Sequence, residues 1–455
     1  MLKVENFKEK KNRLKRIFTN TVLVKYCILV SCLVFPLSLI IGIIVANLFD
    51  PSLNGFSIFR NYISNLGSFR HTAIPPIFNF SVIITSLCLF PVTFYFKNTI
   101  YSYQKNANKT HFKKILKVLL SNLGFIAMIF ALIGFMGVGF FSENLNTHLS
   151  GYYGINPFKW TIFESFHMFF AHTFFISILF SGIFIGIYFL LFPKSVAKIF
   201  RVEKYWIIFI LLGIEMLGSP IINSVIFILS INLSEQFYEW IIFFIILSWL
   251  IPLLIILLRS LTDKTNSINN TMEFTLKGQF FKLLANKKLI KYTIIIGNIY
   301  FLFSIFIGVI IAQFDLPGYN FMPYAKYLIL LKPDPAGYNI FDDVISNLGS
   351  FRFSPIPQIF NLSLMIYSIL LIPAALYIYK LLYSINKNTE LIGLKAKVKK
   401  IFLMLSSIML FVAIISLFGV GLFSEDVADY IEYLYGPAFL WYDWHIVFAA
   451  IFLTS

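Results

Sequence analysis

Five residue types that can do chemistry recur in this chain at fixed spacing. Residues 63–81, ISNLGSFRHTAIPPIFNFS, match 345–363, ISNLGSFRFSPIPQIFNLS, without a gap at 14 of 19 positions. The match sets Ser64, Asn65, Arg70 and Asn79 against Ser346, Asn347, Arg352 and Asn361 at an offset of 282. The same offset aligns Gly137–Glu143 with Gly419–Glu425, and an offset of 278 pairs His167 with His445. A histidine can move a proton, a serine can attack, a carboxylate can orient the base, and an arginine can hold phosphate through two parallel hydrogen bonds. Together they would suit chemistry on, or binding of, a lipid headgroup.

Each residue also has a plainer reading. Ile58, Phe59, Tyr62, Ile63 and Leu66 recur at helical spacing before Gly67, so a short amphipathic interfacial helix closed by that glycine accounts for the block. Pro75 then suits the first turn of the following helix. Asn79 and Asn361 must face inward, where an interhelical hydrogen bond is the alternative to a ligand contact. Glu143 and Glu425 either end a helix against its dipole, needing a cation such as Arg70 or His167, or begin the next element with Ser424 as a cap. His172 has Ala450 as its counterpart and points away from His167, so the HxxxxH spacing is no metal motif. No G-x-S-x-G, HExxH or HxxxH run supports a hydrolase. No cofactor or metal is implied, and the catalytic residues, if any, stay unassigned.

These residues are positioned by helices in lipid. Of 455 residues 58% are hydrophobic and 13% charged, whereas soluble domains are about a quarter charged. Apolar runs long enough to cross a bilayer fall near 22–48, 77–96, 116–141, 161–192, 205–230, 236–258, 292–314, 358–380, 400–423 and 438–455. The first is too long for a cleaved signal peptide. With residues 1–25 in the cytoplasm, inside segments hold 31 of the 37 Lys and Arg, which is the positive-inside asymmetry. The net charge of +16 therefore points to anionic headgroups at the cytoplasmic face of the cell membrane rather than to nucleic acid. Cys27, Cys32 and Cys88 all lie in apolar helices, so redox chemistry is not expected. Glu215 is the one acid wholly inside a span, and a protonated state or a pair with His167 would accommodate it.

The expected fold is all-α, a polytopic transmembrane helical bundle of two parallel six-helix repeats, the second incomplete. The parts are a basic cytoplasmic N-terminus at 1–21, a first repeat at 22–260, a basic linker at 261–290 and a second repeat at 291–455 that stops after about four helices, as a fragment or a natural truncation would. The ISNLGS…P-x-I-F-N block, the G-V-G-x-F-S-E run after the third span and the histidine entering the fourth resemble the polytopic membrane family called domain-of-unknown-function 998. That family is akin to the Frag, DRAM and Sfk type membrane proteins. The resemblance implies a six-helix unit and supplies no chemistry. Three functions remain open: lipid binding or handling through the outer-face polar cluster, secondary transport, and a non-catalytic membrane scaffold.

Overall fold

The computed structural model describes residues 18–48, 56–105, 111–145, 165–229, 234–268, 287–313, 345–351, 353–354, 356–387, 394–427 and 444–455. Among them there is no strand. The α-helices are α1 (Thr21–Leu48), α2 (Pro76–Lys105), α3 (His111–Phe140), α4 (Phe166–Leu191), α5 (Pro193–Ile199), α6 (Ile207–Leu229), α7 (Glu235–Ile268), α8 (Lys287–Gln313), α9 (Gln358–Lys387), α10 (Leu394–Leu422) and α11 (Trp444–Thr454). Short 3-10 helices lie at Ile63–Gly67, Glu203–Tyr205 and Ile345–Gly349.

Eight of the described helices are long and apolar enough to cross a membrane. The apolar part of α6 is shorter, Ile207–Ile222, and the described part of the last apolar run forms the helix Trp444–Thr454. Lipid-facing surface is the physical reason such helices persist: Leu33, Ile44, Leu211, Ile299, Phe303 and Ile415 are each more than half exposed, which water would not tolerate over so many contiguous apolar side chains. Helix starts are set by local capping. Asn20 Oδ1 accepts from the Val22 amide at 2.9 Å, and Ser165 Oγ from the Met168 amide at 3.1 Å.

The chain separates into two units, Met1–Glu143 with Pro157–Glu273 and Asn144–Asn156 with Phe274–Ser455. In the first, α1 packs on α2, α2 on α3, α3 on α4, α4 on α6 and α6 on α7, and α7 returns to α1. The six long helices therefore make a closed ring. Small residues let the backbones approach: a Cβ on Gly134 would meet the Phe174 amide nitrogen at 2.5 Å, and one on Gly186 would meet Gly213 O at 3.0 Å. The Cys27 and Cys88 thiols are hydrogen-bonded across α1 and α2. In the second unit α8, α9, α10 and α11 pack in sequence, with Phe301 stacked on Tyr367 and Tyr367 OH donating to Asn298 Oδ1 at 2.7 Å.

Candidate functional site

The ISNLGS block forms five residues of 3-10 helix, not the longer amphipathic α-helix that its spacing predicts. Ile63, Leu66 and Gly67 are buried, while Phe59 lies outside the helix and is 57% exposed. Gly67 does not close the helix through left-handed backbone. Its small size is required because the Asn79 amide lies against its Cα, where a Cβ would overlap Asn79 Oδ1. Asn79 Nδ2 donates to Gly67 O at 3.0 Å, so the residue one turn into α2 fastens the block to the helix that follows it. Asn361 repeats the arrangement, donating to Gly349 O at 2.8 Å. Pro75 sits just before the helix, accepting the first bond from the Asn79 amide at 3.2 Å, and Pro76 takes the first helical position.

The glycine-rich run has a matching purpose. A Cβ on Gly139 would meet Asn79 O at 2.6 Å, and one on Gly421 would meet Asn361 O at 2.6 Å. Gly137 and Gly419 face the rings of Phe170 and Phe448 at distances that leave no room for a methyl group. Two residues past the glycines, Phe141 O accepts from His167 Nδ1 at 2.8 Å and Phe423 O from His445 Nδ1 at 2.9 Å. A carbonyl can only accept, so Nδ1 carries a proton in both rings. Stacking of Phe141 on Phe166 and Phe170, and of Phe423 on Phe448, completes each junction. In each unit the repeated residues thus tie the block, the second span, the end of the third span and the start of the fourth.

Glu143 and Glu425 each open a new helical turn after the third span. Glu143 lies within electrostatic reach of the His167 ring, and its Oε2 is buried with no hydrogen-bond partner. Beside Glu425, the buried Asp426 carboxylate accepts from Ser350 Oγ at 2.7 Å and from the Phe351 amide at 3.0 Å, fastening the block from a second direction. Ser64, Asn65, Ser346 and Asn347 are half-buried, with the Asn65 amide on Tyr62 O at 3.2 Å. Arg70 is exposed; its amide nitrogen donates to Ser68 Oγ at 3.3 Å. Arg352 lies outside the described residues.

Glu215 does not meet His167. His167 precedes Gly186 on α4 by 19 residues, about 28 Å at roughly 1.5 Å per residue. Gly186 is level with Gly213, two residues from Glu215. The half-buried Glu215 is therefore near the opposite end of the bundle, and the expected pair is overturned by helix length alone. His172 is exposed, its Nδ1 on Met168 O at 2.8 Å. Among the described residues no group of three His, Cys, Asp or Glu could hold a metal ion.

Three positions escape a comparison of the two copies. Ser234 Oγ donates to Phe59 O at 2.5 Å, and Trp240 Nε1 to Asn61 O at 2.9 Å. The Glu239 carboxylate takes the Ile63 amide. The start of α7 thus clamps the first block. In the sequence the only sign of this role is the place of Glu239 one turn into the 236–258 apolar run.

No family model, curated protein or solved structure matches the chain, and the likeness to domain-of-unknown-function 998 rests on the ISNLGS, G-V-G-x-F-S-E and histidine motifs alone.

Proposed function

We propose that this multi-pass membrane protein is a lipid-binding protein whose outer-face polar cluster presents Arg70 to an anionic headgroup, without covalent chemistry. One observation carries the reading. Asn79 and His167 of the cluster in the first unit are consumed in holding backbone, on Gly67 and on Phe141, whereas the Arg70 side chain at the same end is exposed. A planar guanidinium on a braced loop suits bidentate phosphate recognition. The basic opposite end, with the N-terminus in the cytoplasm of the cell, completes the orientation we infer.

Reconstitution of the full chain in nanodiscs of mixed phosphatidylcholine and phosphatidylglycerol, followed by mass spectrometry of retained lipid, tests this. Phosphatidylglycerol should be enriched and Arg70→Gln should remove the enrichment. Equal retention by the variant sinks the headgroup site and leaves the scaffold reading. Transport has less support: five helices of the first ring enclose a cavity, but no carboxylate lines it among the described residues, and coupling to a cation gradient needs an acidic group there.

A further inference from the structure

An internal cavity of about 160 Å³ lies inside the first unit, between α1, α2, α3, α4 and α7. One water needs roughly 10–15 Å³ on such a measure, and apolar cavities stay dry. The walls are mostly apolar, with Phe35, Phe96, Phe125, Phe135, Phe174 and aliphatic side chains between a few scattered polar groups, so water has too few partners to fill the space. A close-packed interior leaves few voids of this size without an occupant.

Its shape is elongated. The lining runs from Phe243 to Leu257 along α7 and from Ser121 to Phe135 along α3, each about 21 Å at the rise of an α-helix. Three of the five helices carry an internal proline, Pro36, Pro91 and Pro252, each of which removes a backbone bond that would otherwise draw the helix straight.

Its polarity is one-sided. At the end nearer the basic segments Lys97 lines the cavity. Its ammonium donates to Ser121 Oγ at 3.2 Å and to Asn122 Oδ1, and it stands 5.8 Å from the centre of the Phe125 ring. These partners satisfy hydrogens but carry no negative charge, and no carboxylate among the described residues pairs with it. Lys97 is half-buried near the end of its span, a depth at which a cation without a counter-charge suits an anionic headgroup. Further along, Thr85 is 5% exposed, lines the cavity, and its hydroxyl has no partner. The second copy lacks the arrangement, with Tyr379, Leu403 and Met404 at the positions of Lys97, Ser121 and Asn122.

We propose that this cavity holds one acyl chain whose acidic headgroup rests on Lys97. The ligand class is an acid-headed single hydrocarbon chain, entering from the leaflet at the basic end. The site is separate from Arg70, and either can fail without the other.

Photolabelling of the full chain in its membrane tests this, using diazirine-bearing palmitic acid, the matching lysophosphatidic acid, and the matching uncharged alcohol, with labelled peptides mapped. Either acid should label cavity residues such as Met128 or Leu132 and be competed by excess unlabelled acid; the acid that labels identifies a carboxylate or a phosphate headgroup. Lys97→Gln should lower acid labelling of the cavity about tenfold or more while leaving alcohol labelling unchanged. Thr93→Phe, at a half-buried position, and Ala131→Phe, at a fully buried one, should block both probes; Thr93→Phe keeps the test alive if Ala131→Phe does not fold. Arg70→Gln should change none of this. Labelling confined to lipid-facing residues such as Leu33 and Ile44, or acid labelling equal in wild type and Lys97→Gln, overturns the proposal.

Discussion

Asn79 both bonds Gly67 and forbids any larger residue there: its Nδ2 donates to Gly67 O at 3.0 Å while its Oδ1 occupies the space a Cβ would need. The two residues are one device, and the pair Asn361 and Gly349 repeats it at 2.8 Å. Gly67→Ala should destabilise by about 1–3 kcal/mol, as overpacking does, and Asn79→Ala by about 1–3 kcal/mol, since Gly67 O loses its donor. The double variant should cost less than the sum, because removing the amide removes the clash. Strictly additive losses in thermal unfolding of the detergent-solubilised chain would show that the two act independently.

His167 and His445 hold the carbonyl ends of Phe141 and Phe423. His167→Leu should lower stability by about 1–3 kcal/mol because it leaves a buried acceptor unsatisfied, and His445→Leu should behave alike. A protein of unchanged melting temperature would show that the ring bears no structural load and would return the histidine to the list of proton-transfer groups.

Two glycines of the first ring should respond in opposite ways. Gly134→Ala drives a methyl group into the Phe174 amide nitrogen and Phe170 O of α4, at 2.5 and 2.9 Å, and two backbones cannot yield as a side chain does. A loss of about 1–3 kcal/mol or of folded yield is expected. At Gly218 a methyl group would meet only Ile222 Cδ1 at 3.8 Å, and Gly218→Ala should be neutral or slightly stabilising, since alanine favours helix by up to about 1 kcal/mol. Equal elution profiles for the two variants on size exclusion would refute the close approach of α3 to α4.

Trp240→Phe keeps the aromatic bulk against Phe56, whose ring centre is 6.3 Å away, and deletes the bond to Asn61 O. The loss should be about 0.5–1.5 kcal/mol. Its sign in structure is more specific than its size: amide exchange should rise around Asn61–Ile63 and stay unchanged in α3. A uniform rise along the chain would mean that Trp240 acts through general packing instead.

The inward-facing asparagines, the small glycines and the entrance histidines are legible as repeated residues, yet their partners are not. Asn79 bonds the last carbonyl of the short 3-10 helix 12 residues back rather than another membrane-length helix. Gly67 reads as a left-handed helix stop and is in fact a space left for an amide. The same sequence pattern, a glycine after a short apolar run, serves both purposes, and only the neighbouring side chain separates them. Lys97 reads as the first residue of a basic loop and lies inside α2, facing a cavity; the polar pair Ser121 and Asn122 in the next apolar run was the available signal.

Amino-acid order alone determined the eight described apolar helices of membrane-crossing length and the repeated block, and it supplied the expectation of a basic cytoplasmic face. Each is local or additive: hydropathy sums over about twenty neighbours, and Lys and Arg are counted loop by loop. Tertiary structure decided which polar groups meet. Glu215 and His167 are kept apart by the length of α4, whereas Lys97 meets Ser121 and Asn122 because α2 and α3 pack antiparallel through their facing sides. The physical reason is that a hydrogen bond or a cavity depends on which helix faces touch and at what height. Neither is fixed by the spacing of residues within any one helix.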